Sequence, residues 1–402
     1  AMRILVLAHK PPFPPVDGGT LATLNMCIGL VKAGNTVTVL TLSTPKHPSS
    51  IERIPESLLS EINFEILSIP LTTTPFGYFY NILFTRRPYN IQRYFSKTFK
   101  RIILKTLRSN EFDIVQLEGL YLYPYVKTIR KHFSGKIVLR AHNVEHHIWE
   151  TLANEESNKL RAWYFNLLAR RIARIERHIN SNIDALVAIS DPDYKWFTTN
   201  GLSKPAVVCP AGYFPPQQPL ESTPPDKPSL CYIGALDWMP NIEALMWFID
   251  WVWPRIQSEI PEVEFYVAGR NATSELAERL MMERNIVFYG QVADSATFLS
   301  AYPVMIAPLF SGSGIRVKII EGMFLRRAIV ATSMASRGIK AVNNEHLLIA
   351  DAPDEFAQAV CRLLSSPETA SYISKNAQEF AFSHFDATHL AKELTNFYQR
   401  LI

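Results

Sequence analysis

The sequence predicts an α/β protein of two domains, and three observations carry that expectation. Short apolar runs recur along the chain, each followed by a loop and then by residues with helical periodicity, the alternation that builds parallel sheets. A proline-rich stretch from Pro210 to Pro228 divides this alternation into two halves. The chain has 402 residues, too many for one ordinary core.

The first half opens on an apolar run, Arg3 to Ala8, which ends in a loop holding Pro11, Pro12, Pro14 and Pro15, then Asp17-Gly18-Gly19-Thr20. A helical pattern through Leu21, Leu24, Ile28 and Leu30 stops at Gly34 and gives way to a strand, Thr36 to Leu42. The result is a β-loop-α-β unit with glycines at the helix N-terminus, similar to half of a Rossmann-like domain. It lacks a G-x-G-x-x-G, so a dinucleotide is weakly supported. Between Glu65 and Glu111 there is no acidic residue, while Arg86, Arg87, Arg93, Lys97, Lys100, Arg101, Lys105 and Arg108 accumulate among aromatic residues. Gln92 to Arg108 reads as one amphipathic helix with Phe95, Phe99, Ile102, Ile103 and Leu107 on one face. Two readings stay open: the segment 76–108 rests on anionic lipid or polysaccharide, or its apolar face packs on the domain.

Phe112 to Gln116 and Lys136 to Arg140 read as further parallel strands, with Glu118 and His142 just past their carboxyl ends, where open α/β sheets collect functional groups. His142 and His146 stand at helical i, i+4 spacing, but the motif is not H-E-x-x-H and no third ligand is evident, so no metal is expected. Lys159 to His178 is a basic amphipathic helix. Ile183 to Ile189 is a strand leading into Ser190-Asp191-Pro192-Asp193, where a serine cap, an early proline and a first-turn acid spell a helix start and not a metal site. Ala206 to Cys209 closes the first half.

The second half begins with a strand, Ser229 to Ile233, a loop from Gly234 to Asn241, and a helix rich in Trp247, Phe248, Trp251 and Trp253. Glu264 to Gly269, Ile286 to Tyr289, Val304 to Ala307, Ala328 to Thr332 and His346 to Ile349 are the later strands, and the chain is helical from Pro353 onward. The most informative stretch is SGSGIRVKIIEGMFLRRAIVA, Ser311 to Ala331. Gly312 and Gly314 let backbone N–H groups turn towards a ligand, and the following helix presents its positive end there. Arg316 and Lys318 in its first turn are unfavourable against the helix dipole unless an anion lies between them. Glu321 stands one turn on, where a carboxylate accepts hydrogen bonds from paired hydroxyls such as those of a ribose. A surface helix with solvated charges is the alternative.

With LCYIGALDWMPNIEAL upstream and AHNVEHHIW in the first half, this stretch resembles the family-four retaining glycosyltransferases, which have the GT-B fold, and the resemblance covers nearly the whole chain. It implies two Rossmann-like domains facing each other across a cleft: 1–209 on the acceptor side, a linker 210–228, a donor domain 229–385, and a C-terminal helix 386–402 crossing back. The implied activity is metal-independent, retaining hexosyl transfer from a nucleoside-diphosphate sugar to a glycan or lipid-linked acceptor, in bacterial surface polysaccharide or glycolipid synthesis. By the same resemblance, His142 lies near the donor sugar, and Gly18 and Gly19 approach its phosphates or the reacting centre. Gly234 belongs to the donor loop, Arg270 touches base or phosphate, and Glu321 binds the ribose. Backbone groups of Gly312, Ser313, Gly314 and Ile315, with Arg316 and Lys318, stabilise the leaving diphosphate. Two departures stand out. Ser313 occupies a position commonly held by a sugar-binding glutamate, and Ala235 and Asn241 fall where many members carry an arginine and a lysine, so Arg316 and Lys318 are expected to supply that charge. The G-S-G-x-R-x-K loop marks a subgroup. An epimerase or phosphorylase of the same architecture, or a catalytically silent glycan-binding module, are the alternatives.

Cys27, Cys209, Cys231 and Cys361 are scattered without CxxC spacing, as free thiols in a reducing compartment would be. No apolar run approaches the roughly 18 residues that span a bilayer, and MRILVLAHKPPFPP lacks a signal peptide's apolar region and cleavage site. The expected location is cytoplasmic, at the inner face of the membrane. A net charge of +4 gives no argument for nucleic acid, and no resident cofactor is implied.

Overall fold

A computed structural model describes residues 1–71, 75–312 and 316–402. They form two compact units, residues 1–212 with 387–402, and residues 213–386.

The first unit is built on a seven-stranded sheet in the order β3-β2-β1-β4-β5-β6-β7. Its strands are β1 (Arg3–Ala8), β2 (Thr36–Ser43), β3 (Ile62–Ser68), β4 (Ile114–Glu118), β5 (Lys136–Ala141), β6 (Ala185–Ala188) and β7 (Ala206–Val208). Every pairing is parallel. β1 and β4 are almost wholly buried, which explains their continuous apolar character. Strand order reverses between β1 and β4, the place where ligands of such sheets bind. Register sets Ala8 opposite Glu118, and Glu118 opposite Arg140, at the carboxyl edge. The strand β3 carries no motif and escaped the sequence reading.

Helix α1 (Gly18–Lys32) starts at a capping box: Asp17 Oδ1 accepts the Thr20 N–H at 2.8 Å, and Thr20 Oγ1 accepts the Asp17 N–H at 3.0 Å. Helix α2 spans Pro75–Phe84 and α3 Lys97–Ser109. The single helix expected over Gln92 to Arg108 is therefore broken, because Ser96 caps α3 by accepting the Phe99 N–H. Phe99 and Ile103 are buried, and Phe95, Ile102 and Leu107 pack on the same core, so protein already occupies the apolar face offered to lipid. Helices α4 (Glu145–Glu155) and α5 (Lys159–His178) pack together, and α6 (Asp191–Thr199) starts at Ser190, whose Oγ accepts the Asp193 N–H.

The second unit holds a six-stranded parallel sheet, β10-β9-β8-β11-β12-β13, from β8 (Ser229–Ile233), β9 (Glu264–Ala268), β10 (Ile286–Gly290), β11 (Val304–Ala307), β12 (Ala328–Ala331) and β13 (Leu348–Ile349). Its order reverses between β8 and β11. The helices used below are α7 (Met239–Trp247), α8 (Ser295–Ser300), α9 (Val317–Phe324), α10 (Pro353–Ser365) and α11 (Pro367–Phe385). Phe248, Trp253, Phe265 and Phe356 fill the core on one sheet face. The stretch after Gly212 is tied to this unit: the Tyr213 N–H donates to Phe385 O at 2.9 Å and Ser222 Oγ to Ser300 O at 2.7 Å. Helix α12 (Ala387–Leu401) belongs to the first unit, where Leu390, Leu394, Phe397 and Tyr398 join the core under α1. Gly29 permits that approach, since a Cβ there would stand 2.7 Å from Ala391 Cβ. Among the described residues no helix is long and apolar enough to cross a membrane, and the four cysteines are buried free thiols.

Candidate functional site

In the first unit, polar groups gather at the carboxyl ends of β1, β4 and β5. Glu118, the last residue of β4, is 2% exposed and its partner Arg140 1%. Glu118 Oε2 accepts from Arg140 Nη1 at 2.9 Å, from His142 Nε2 at 2.5 Å and from Thr23 Oγ1 of α1 at 3.3 Å. Its Oε1 accepts from Gln116 Nε2, and the Tyr398 hydroxyl of α12 donates to Gln116 Oε1. Burial alone would raise the Glu118 carboxyl, but Arg140 and His142 outweigh it and hold it at about 2. An ionised carboxylate only accepts, so Nε2 of His142 is the donor and its ring is fixed in orientation.

His142 lies beyond β5 and is part-exposed, with Nδ1 4.0 Å from where a Cβ on Gly19 would stand. The structure thus brings Gly19 and His142 together at the head of α1, beside Gly18. The i, i+4 relation to His146 does not exist, because α4 begins only at Glu145; His146 turns instead to Glu176, at 2.9 Å.

Two neighbours escaped the sequence reading. His9, directly after β1, is part-buried and stacks on Tyr121 with ring centroids 4.3 Å apart; its Nδ1 is buried, and desolvation, then Lys10 and His142, push its pKa well down. Glu145 is raised to about 7 by burial and by Glu176, and Tyr121 OH lies 3.4 Å from its Oε2. His9 was legible from its place at a strand's carboxyl end; Glu145 carried no signal.

In the second unit the loops after β8, β9 and β11 form the corresponding edge. A Cβ on Gly234 would stand 2.7 Å from Tyr232 Oη of the strand before it, and one on Gly269 2.2 Å from Gly234 O, so Gly269 permits contact between the two loops. Asn241 Nδ2 donates to Ala235 O at 2.9 Å and closes the first of them. The Arg270 carbonyl accepts the Leu236 N–H at 2.9 Å, so Arg270 joins the two loops through its main chain.

Gly312 has φ +95°, and a Cβ there would stand 2.9 Å from Arg316 Nη2. Arg316 occupies the N-cap of α9, donates to Ser311 O at 3.1 Å, and has its pKa lowered by burial. Ser313, Gly314 and Ile315 lie outside the described residues. Lys318 Nζ meets Glu321 Oε2 at 2.9 Å. Glu321 is 3% exposed, and its Oε1 accepts from Ser295 Oγ at 2.7 Å and from Tyr213 OH at 3.3 Å. Gly312, Arg316, Lys318 and Glu321 therefore converge at the head of α9, while Gly234 and Arg270 belong to the neighbouring loop pair. Neither Ser295 nor Tyr213 announced itself, since each comes from an element remote in sequence.

Two parallel α/β units, each with functional groups at its topological switch, form the GT-B fold of glycosyltransferases. The chain is similar in structure to the sucrose-phosphate synthase of Thermosynechococcus elongatus, at 16% identity and a TM-score of 0.72, over 100% of this chain and 99% of that one. It is likewise similar to Alr3699/HepE of Anabaena in complex with UDP and glucose, at 15% identity and 0.69, over 100% of both. In sequence, residues 16–213 match the family described as Glycosyltransferase Family 4, and residues 227–366 that described as Glycosyl transferases group 1. The chain is a family-four-like glycosyltransferase of the GT-B type. A relative from Klebsiella pneumoniae, an uncharacterized 44.6 kDa protein in the cps region, is 22% identical over 96% of this chain and 97% of that one.

Proposed function

We propose that the protein transfers a hexosyl group from a nucleoside-diphosphate sugar to a glycan or lipid-linked acceptor, with retention of anomeric configuration and without a metal. The observation that carries this is the buried Glu321 carboxylate, fixed with Lys318 at the N-terminus of α9 directly after the glycine loop. Glu321 takes the ribose hydroxyls, while Arg316, Lys318 and the main chain around Gly312 to Ile315 receive the diphosphate. Gly234 and Arg270 complete the donor loops. That Anabaena Alr3699/HepE was solved with UDP and with UDP-glucose supports such a donor.

In the reaction the bond between the anomeric carbon and the phosphate oxygen breaks, and the electron pair leaves with the diphosphate. The acceptor oxygen bonds to the same face of that carbon, and its proton passes to the departing phosphate. His142, held by Glu118 beside Gly18 and Gly19, positions and stabilises the transferred sugar. The G-S-G-x-R-x-K loop, with serine at 313, supports a reading in which the chain belongs to a subgroup that recognises the sugar without a glutamate at that position. A setting in surface polysaccharide or glycolipid synthesis, at the cytoplasmic face of the membrane, accords with the cps-region relative and with the exposed Phe79, Tyr80 and Leu83 of α2 beside Arg86 and Arg87. No observation favours an epimerase, a phosphorylase or a silent glycan-binding module.

The test is calorimetric titration with a panel of nucleoside diphosphates and their sugars, without divalent metal, on wild type and Glu321→Ala. One nucleotide is expected to bind selectively and to be lost in the variant. Binding of none, or undiminished binding to Glu321→Ala, overturns the donor-site assignment.

A further inference from the structure

We propose that His146, His147 and Glu150 form a divalent transition-metal site at the head of α4, separate from any step of the transfer above. In the sequence His-His-x-x-Glu the two histidines stand four and three residues before the glutamate, which sets all three on one turn of the helix. One donor atom from each lies within 4.8 Å of the other two. Two donors on a single zinc are at most about 4.2 Å apart. His147 and Glu150 are exposed, and a side-chain rotation closes the difference. The two imidazole centroids are 4.3 Å apart at an interplanar angle of 57°, so the rings are neighbours and need only open slightly to share one ion.

The second observation is how His146 is held. Glu176 of α5 is buried, and its carboxylate accepts the backbone N–H of Glu145 at 3.0 Å, the backbone N–H of His146 at 2.9 Å, and His146 Nδ1 at 2.9 Å. One side chain thus caps the N-terminus of α4 and fixes the proton of His146 on Nδ1, which leaves the Nε2 lone pair for a metal. A carboxylate behind a histidine ligand is the usual outer support of such sites. Two imidazoles and a carboxylate suit zinc, cobalt or nickel; magnesium and calcium prefer oxygen alone. Three protein ligands leave a coordination position for water.

Trp196 makes the site observable, since its ring lies 4.9 Å from His146 and 5.9 Å from His147. The experiment uses tag-free protein, freed of metal with a chelator and titrated with Co2+ and Zn2+ by calorimetry, with tryptophan fluorescence read during the Co2+ titration. One ion is expected to bind per chain and to quench fluorescence, and Trp196→Phe is expected to remove most of that quenching. His147→Ala and Glu150→Gln change exposed positions, should leave the circular dichroism unchanged, and should each weaken binding at least tenfold. Glu176→Gln should weaken it about 10- to 100-fold. No saturable binding to wild type, or wild-type affinity in folded His147→Ala and Glu150→Gln, overturns the proposal.

Discussion

Replacing Glu118 by Gln tests whether one buried charge holds the first unit's site together. The side chain keeps its shape and can still accept from Gln116, but it removes the carboxylate that pairs with the Arg140 guanidinium, which stays almost wholly buried. Lowering the carboxyl from an ordinary 4.5 to about 2 corresponds, at ~1.4 kcal/mol per tenfold, to about 3–4 kcal/mol of folding stability. The measured cost of breaking one side of a buried ion pair, about 3–5 kcal/mol, agrees. Because the folded pKa is depressed, this contribution is complete above pH 4.5 and is lost as the pH falls towards 2. The assay is hydrogen exchange of the peptide covering β4, in variant and wild type at matched pH. At pH 7 the variant's slowest amides should exchange roughly 300-fold faster, with the ratio shrinking below pH 4.5. Equal protection at pH 7, or a ratio independent of pH, refutes the account of Glu118 as an ionised anchor.

Gly29→Ala puts a methyl group 2.7 Å from Ala391 Cβ and 3.2 Å from Ala387 O, and overpacking of this kind costs about 1–3 kcal/mol. Calorimetry should show a lower melting temperature, and an unchanged one would mean that α12 does not pack on α1 this closely. Phe79 and Leu83 are 60% and 56% exposed on α2, so Phe79→Ser with Leu83→Ser should reduce co-sedimentation with phosphatidylglycerol vesicles at every salt concentration. If salt alone controls binding and the double variant sediments like wild type, the cationic face of α3 is the contact and α2 is not.

Most of the scaffold was legible because parallel strands buried on both faces are written as uninterrupted apolar runs. Ser229–Ile233 and Val304–Ala307 are found with the bounds their runs suggest, as is the helix Lys159–His178. Ser190 and Pro192 announced a helix start through local chemistry, and the structure has one there. The break before α3 was missed because amphipathic periodicity continues across it, and only the serine at 96 marks it. In the candidate sites, residues next to a strand end or glycine loop could be named, as His142 and Glu321 were. What periodicity cannot give is a partner brought from far along the chain. Gln116 depends on Tyr398 and Glu321 on Tyr213, and those pairings exist only once the sheet order and the path of the terminal helix are known.

Glu321 raises a question of capacity that leads to a last prediction. A carboxylate offers about four lone-pair directions, and here Ser295 and Tyr213 take two on Oε1 while Lys318 takes one on Oε2. A ribose brings two hydroxyls, so if Glu321 binds it, one present donor must leave. Lys318 is the candidate, because it is the exposed member of the pair, 40% against 4%, and because a diphosphate at the head of α9 would receive its charge. Ribose and phosphate recognition would then be coupled through one ammonium group. Lys318→Met should consequently act in opposite directions on two ligands. The preferred nucleoside diphosphate should bind more weakly and turn over about 100-fold more slowly, the loss expected of a missing charge donor. The free nucleoside, which needs only the vacated carboxylate, should bind as well as to wild type or better. Parallel titrations decide the matter: equal weakening of both ligands would show that Lys318 merely braces Glu321 and never moves to the phosphate.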